Sequence, residues 1–295
     1  MKESEEINAL KAISKAVKDL DQLNLVQRKL FDKIEHTRQN FFIQGQAGTG
    51  KSTFIKYLKK NSKKRIRLVA PTAIAALNIE GATIHSMFNL PLGDFLIMRD
   101  VLSSRRRKLK SVLKKTDILV IDEVSMLRPD ILDIIEALCC QARGTLTLFG
   151  GLQIILIGDM CQLPPIIKNE VAPIFKAEYG TDEPYFFDAK SYQKGGFEKV
   201  ELTEVYRQVD DELLHYLQNI RRNENLPETI SYFNQRETYP EDFIKTAITI
   251  TPYRQIAENI NRRRLQELTS EERSYDAALS GSFEKMQDTP SPKTL

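Results

Sequence analysis

Gly45-Gln46-Ala47-Gly48-Thr49-Gly50-Lys51-Ser52-Thr53 is the stretch whose reading decides the fold, because it has the G-x-x-x-x-G-K-[ST] form of a nucleotide phosphate loop. The apolar run Phe41-Phe42-Ile43 before it reads as a buried strand, and Lys51-Ser52-Thr53-Phe54-Ile55-Lys56-Tyr57-Leu58 reads as a helix. Glycines let successive backbone N–H groups turn inward around phosphate oxygens, and the start of the helix adds partial positive charge. Gly45, Ala47, Gly48, Thr49, Gly50 and Thr53 then form the cradle, Lys51 reaches the terminal phosphates, and Ser52 offers its hydroxyl to Mg²⁺. Three of the 13 glycines fall between positions 45 and 50, so the loop is no by-product of a glycine-rich composition. A tight turn with no ligand is the bland alternative, and the strand and helix on either side argue against it.

Two further apolar runs end in polar clusters. Asp117-Ile118-Leu119-Val120-Ile121-Asp122-Glu123 reads as a strand buried on both faces and finished by two carboxylates. The first suits a Mg²⁺ shell, and the second can orient or deprotonate an attacking water. Gln153-Ile154-Ile155-Leu156-Ile157 reads as a third buried strand and leads into Gly158-Asp159-Met160-Cys161-Gln162-Leu163-Pro164-Pro165. Polar groups gathered at the carboxyl ends of parallel strands mark the ligand side of an α/β sheet. Gln162 could sense a γ-phosphate there, although a loop glutamine capping backbone is an equal alternative on composition alone. The fold class expected is therefore α/β, a P-loop parallel sheet flanked by helices.

At 295 residues, with 41% hydrophobic and 28% charged, the chain is long enough for one large or two ordinary domains. No stretch reaches the ~18 apolar residues of a membrane span and no signal pattern opens it, so a cytosolic location is expected. Cys139, Cys140 and Cys161 lack metal or disulfide spacing and read as buried, reduced thiols. Net charge is only +3, yet residues 51–67 hold eight Lys or Arg with no acid, and residues 101–115 hold Arg105, Arg106, Arg107, Lys108, Lys110, Lys114 and Lys115 with no acid. Such blocks suit a polyanion, and a solvated helix face is as good a reading of either one alone.

Elsewhere, Ile7, Leu10, Ile13, Val17 and Leu20 have helical spacing, and Leu23-Asn24-Leu25-Val26-Gln27 opens a second helix. Gln27 has the side chain for reading adenine, a weak signal by itself. Arg67-Leu68-Val69-Ala70 reads as a strand, Ala73 to Leu77 as a helix, and Gly81 to Phe88 as a polar and aromatic turn. Pro129 suits the first turn of a helix running to about Cys140. Gly180, Pro184, Gly195 and Gly196 suggest a domain boundary near 195. After it, Lys199 to Leu202 and Ala247 to Ile250 read as strands, and 211–222 and 254–267 as helices.

Taken together these motifs resemble the Pif-type DNA helicases, in the 5′-to-3′ branch of superfamily one that includes RecD-like enzymes. Leu23 to Gln27 is similar to the adenine-reading Q motif, Gly45 to Thr53 to motif one, and Ala70-Pro71-Thr72 to the motif after it. Thr83 to Phe88 resembles the strand-gripping segment, Ile121 to Met126 motif two, Gly158 to Pro165 motif three, and Leu202 to Gln208 motif four. The resemblance implies two RecA-like domains, 1–195 and a partial one at 196–295, with ATP and Mg²⁺ between them and single-stranded DNA across their tops. It gives Lys51 and Ser52 the phosphates and metal, Asp122 support of the metal, Glu123 the water, Gln162 the γ-phosphate, and Arg207 the charge that develops there. It gives strand contacts to Pro71, Thr72, His85, Ser86, Phe88, Leu163, Pro164 and Pro165, and a strand-separating wedge to a small insertion near 89–115.

Single-stranded and duplex or fork DNA are the implied partners of a monomer, in service of DNA repair, recombination or telomere maintenance, with no membrane involved. In the family a small β-rich insertion and motifs five and six follow Asn261, and here none is found before Leu295, so a truncated second domain is expected. That departure motivates an alternative, a nucleotide-gated single-stranded DNA-binding module that does not unwind. A P-loop ATPase unrelated to DNA is a third reading.

Overall fold

The computed structural model describes residues 23–91, 93, 107–206, 210–235, 247–251 and 253–268. The helix expected over residues 1–20, most of the expected wedge insertion and Arg207 lie outside these. The chain divides into two compact units, Met1–Arg221 and Arg222–Leu295.

Among the described residues the first unit contains helix α1 (Leu25–His36), followed by β1 (Phe41–Gly45), α2 (Lys51–Asn61), β2 (Ile66–Ala70), α3 (Ala73–Asn78), β3 (Ala82–Thr83) and α4 (Ile84–Phe88). It continues with α5 (Arg107–Lys114), β4 (Ile118–Ile121), α6 (Pro129–Arg143), β5 (Gln153–Gly158), α7 (Ala172–Tyr179), α8 (Lys190–Lys194), β6 (Glu198–Leu202) and α9 (Asp211–Arg222). The six strands form one sheet in the order β3-β2-β4-β5-β1-β6, and every pairing is parallel.

Alternation along the strands builds two cores. Phe42, Val69, Leu119, Ile121, Ile154 and Leu156 face one side and pack with α6. Phe41, Ile43, Leu68, Val120, Ile155 and Ile157 face the other and pack with α1 and α2. A parallel sheet covered on both faces needs apolar residues at consecutive positions, which is why β4 and β5 are unbroken apolar runs. Each fully buried Phe, Ile or Leu contributes roughly 1.5–3 kcal/mol relative to exposure.

The register decides where the polar residues arrive. Ile121 pairs with Leu156, and Leu156 with Phe42. Asp122, Asp159 and the phosphate loop therefore leave the same edge of the sheet at nearly one level. Pro129 begins α6 as expected, and left-handed Gly144 (φ 68°) ends it.

Three expectations are corrected. The strand over 198–202 does not open a second domain: it pairs with β1 along its whole length, from Phe41 with Glu198 to Gly45 with Leu202. Gly195 and Gly196, read as a boundary, are held to that sheet, since their carbonyls accept from the side-chain amides of Asn40 (2.8 Å) and Gln39 respectively. Gly81 to Phe88 is not a turn but a short edge strand and a helix whose N-cap is Thr83, its side chain accepting from Ser86 N at 3.1 Å.

The second unit contains α10 (Leu226–Asn234) and α11 (Arg254–Gln266). Residues 248–250, expected as strand, carry no strand pairing, and Ile248 and Ile250 are over 90% exposed. No helix among the described residues is long and apolar enough to cross a membrane.

Candidate nucleotide site and strand-gripping face

The loop between β1 and α2 turns on Gly48 and Gly50, both left-handed at φ 85° and 81°. A Cβ on Gly50 would stand 2.9 Å from Gln27 Nε2, so the loop's inner wall has no room for a side chain there. Thr49 is buried, and its hydroxyl donates to Gln46 O at 2.9 Å. Gln27 is buried as well, with both ends engaged. Its Oε1 accepts from Asn24 N (3.2 Å) in the N-terminal capping box of α1, and its Nε2 donates to Thr49 O (3.4 Å). Gln27 thus ties α1 to the phosphate loop, with one N–H and one lone pair of its amide still to use.

Lys51 Nζ donates to Gly45 O (2.7 Å) and Gln46 O (3.0 Å). Burial lowers its pKa, and the charges of Asp159, Glu123 and Asp122, which follow the ends of β5 and β4, work in the opposite direction. Asp122 is 6% exposed, and its backbone N–H donates to Val69 O at 2.9 Å. Burial pushes its carboxyl up to about 6; the Glu123 charge adds to this, while a bond from the Glu123 backbone and the Lys51 charge oppose it. A carboxylate desolvated to this degree favours a nearby cation.

Glu123 adopts a left-handed backbone, φ 51° and ψ 46°, uncommon for a residue with a side chain and costing about 1–3 kcal/mol. The crowding behind it holds the turn. A Cβ on Gly158 would come within 2.9 Å of Val124 Cγ2 and 3.0 Å of Val124 N, so β5 presses directly on the residue after Glu123.

Asp159 is held by a two-pronged ion pair with Arg221 of α9, at 2.8 Å and 2.7 Å, and accepts from Cys161 N at 3.1 Å. Burial alone would raise its pKa, but these partners hold it below the usual carboxylate value. Gln162 follows on an exposed loop, its N–H bonded to Asp159 O at 3.0 Å.

Of these groups, Gln27, Lys51, Glu123 and Gln162 line a cleft of about 580 Å³. Its walls include Gln27, Ala47, Gly48, Gly50, Lys51, Ser52, Thr53, Glu123 and Gln162, brought from four places in the sequence. Gly45 and Thr49 lie buried beneath it. The sequence reading passed over Tyr206 and Asn78, which also line the cleft. Tyr206 N donates to Gly48 O at 2.9 Å, and its ring lies 3.6 Å from where a Cβ on Gly50 would be. Its neighbour Arg207 drew the attention in that segment.

On the strand-gripping face the expected residues separate. Ser86, Leu163 and Pro164 are exposed, and Pro71, Thr72, His85 and Pro165 are partly buried. Thr72 already has a task, since its hydroxyl accepts from Ala75 N (3.2 Å) as the N-cap of α3. Burial lowers the pKa of His85, and the Arg128 charge adds to this. Phe88 is a correction: at 0% exposure its ring belongs to the core with Val69 and Leu119, so it offers no surface to a strand. The cysteines differ too, Cys139 being buried while Cys161 is exposed.

A parallel sheet with this loop on its carboxyl edge, two acids at the end of β4 one strand further across, and the exposed Gln162 loop after β5 between them defines a P-loop nucleotide-binding protein of RecA-like fold. The sequence profile of the PIF1-like helicases matches residues 22–226, and the chain belongs to that family. It is 32% identical over 273 residues to the ATP-dependent DNA helicase PIF1 of Emericella nidulans, spanning 89% of this chain and 35% of that protein. It is 30% identical to the ATP-dependent DNA helicase RRM3 of Saccharomyces cerevisiae, covering 83% of this chain and 34% of that one. Among solved structures, Bacteroides Pif1 bound to single-stranded DNA superposes with a TM-score of 0.76 at 34% identity, over 86% of this chain and 58% of that one. A complex of Pif1 helicase from Bacteroides with ADP-AlF3 and single-stranded DNA gives 0.75 at 33%, over 86% and 59%. The chain therefore spans about a third of the length of these two curated relatives and somewhat under three fifths of the two solved chains.

Proposed function

We propose that this chain is the ATP-binding part of an ATP-dependent DNA helicase, coupling hydrolysis to movement along single-stranded DNA and to opening of duplex or forked DNA. The observation that carries this reading is the convergence of Lys51, Ser52, Glu123 and Gln162 on one cleft beside the exposed Gln162 to Pro165 loop. Relatives bound to single-stranded DNA and to ADP-AlF3 support it, as does a Pif1 structure at forked duplex DNA with a TM-score of 0.75.

The residues fit ATP with Mg²⁺. Among the described residues no cluster of three or more His, Cys, Asp or Glu could hold a metal. Mg²⁺ typically takes one or two carboxylates together with substrate phosphates, and Ser52 with Asp122 supplies that kind of partial set. Bound Mg²⁺ neutralises charge on the phosphates. Lys51 leaves the Gly45 and Gln46 carbonyls to pair with the terminal phosphates, and loop N–H groups from Ala47 to Thr53 hold the rest. Glu123, fixed by its strained turn, takes a proton from the attacking water. Gln162 reports the γ-phosphate to Leu163, Pro164 and Pro165, and through them to the strand, alongside Pro71, Thr72, His85 and Ser86. Gln27 completes adenine recognition with its free N–H and lone pair. Arg207 stabilises the charge that develops, the segment after β6 supplies part of a second RecA-like domain, and movement is 5′ to 3′.

The test is ATP hydrolysis with and without single-stranded DNA. Stimulation by DNA is expected, and hydrolysis indifferent to DNA contradicts the reading.

A further inference from the structure

The two cation-rich blocks in the sequence, 51–67 and 101–115, come together in space. A cavity of about 730 Å³ at the β3 edge of the sheet takes Lys59 and Arg67 from the first block and Arg107 and Lys108 from the second. Glu80 is the acid in its lining, and Lys59 occupies it at 2.9 Å. Arg67, Arg107 and Lys108 are exposed and have no ion-pair or hydrogen-bond partner among the described residues. The floor is apolar, formed by Leu68, Met87 and Leu109 among others. This cavity shares no lining residue with the nucleotide cleft.

Unneutralised cations around an apolar floor recognise a group that is anionic at one end and flat and apolar at the other, which describes a nucleotide in a chain. The volume is that of a small-ligand site and excludes a duplex. The position identifies the strand. Arg67 lies on β2, four residues before Pro71, and Ser86 of α4 lines the cavity while also standing on the gripping face.

We propose that this cavity is a second phosphate-binding station for single-stranded DNA, holding nucleotides of the same strand that extend beyond the gripping segment. The inference rests on the DNA-binding reading above and adds to it a site whose cations, Arg67, Arg107 and Lys108, lie outside the motif residues. Backbone charge and an apolar floor read no sequence, so the station binds without base preference.

The test is the affinity of thymidine oligonucleotides of increasing length, measured by fluorescence anisotropy for the wild-type chain, for Arg67→Glu with Lys108→Glu, and for the milder Arg67→Gln with Lys108→Gln. Both side chains are exposed, so melting temperatures should match. Short oligonucleotides should bind all three proteins alike. Long ones should bind the Glu pair at least tenfold more weakly, with the Gln pair between. For long strands, each single-strand phosphate contact contributes about 0.7 to the slope of log affinity against log salt, so the Gln pair should be shallower by about 1.4.

Equal loss at every length, or no loss, overturns the second station while leaving the helicase reading intact. Loss seen only on forks bearing a second free tail overturns it as well, since the occupant is then the other strand. A wild-type chain that binds no oligonucleotide overturns both readings.

Discussion

The candidate nucleotide cleft and the proposed strand-gripping face lie at the same edge of one sheet, yet their motif residues fare differently. In the cleft nearly every residue marked by the motifs faces the cavity or lies directly beneath it. On the gripping face, Phe88 is in the core, Thr72 is a helix cap and His85 is partly buried, while Ser86, Leu163 and Pro164 stand free. The difference lies in what recurrence of a residue type can mean. A phosphate cradle uses backbone and a few side chains with no other packing role, whereas a short helix at a sheet edge needs its own core residue and caps before it can present anything.

Mutations can break or sharpen that contrast. The largest effect is expected at Glu123→Gln, which keeps shape and removes the base: hydrolysis should fall ~10²–10⁴-fold while nucleotide affinity stays unchanged, read by steady-state turnover beside equilibrium binding. Retained turnover would take Glu123 out of its role. Phe88→Ala should instead cost about 3–5 kcal/mol in chemical denaturation through a core cavity, with DNA affinity of the folded fraction unaltered. A stable Phe88→Ala protein with weakened DNA binding would erase the contrast. Thr72→Ala should cost about 1 kcal/mol by loss of the α3 cap, so any DNA effect beyond that must come from the hydroxyl itself; Thr72→Ser, which keeps the cap, separates the two.

The smallest effect lies away from both regions, at the opposite end of β4. Arg65 bonds Asp117 at 2.8 and 2.9 Å, and this bond holds the Asp117 carboxyl down at about 2, below its ordinary 3.8. A depressed carboxyl stabilises the fold above about pH 4, and the contribution is lost as the pH falls toward 2. Both groups are exposed, so Arg65→Ala should shift the melting temperature by at most about 2 °C at pH 7 and by nothing near pH 2.

Much of this was legible in the sequence. The apolar runs at 41–43, 118–121 and 153–157 are strands because only a sheet covered on both faces buries consecutive apolar residues, and the glycines at 48 and 50 require the left-handed turns observed. Lys199 to Leu202 was recognised as strand, but its alternation of charged and apolar residues says nothing about which sheet it joins. Its pairing with β1 is long-range, and the glycines before it looked like a linker while serving as acceptors for Asn40 and Gln39. Ile248 and Ile250 read as strand by β-branching alone and have no partner strand among the described residues. Phe88 could have been suspected from Ile84, four positions earlier on the same helix face, where both side chains are buried. Tyr206 and Arg221 gave no local signal, since each matters through a contact with a residue far away in sequence.

The central claim is that the cleft beside Lys51 holds a nucleoside triphosphate. Titration of a fluorescent ATP analogue with Mg²⁺ into the wild-type chain and into Lys51→Ala tests it most directly. Saturable binding by the wild type, weakened at least tenfold by the substitution, is the predicted result; no binding, or equal binding by both proteins, would contradict it.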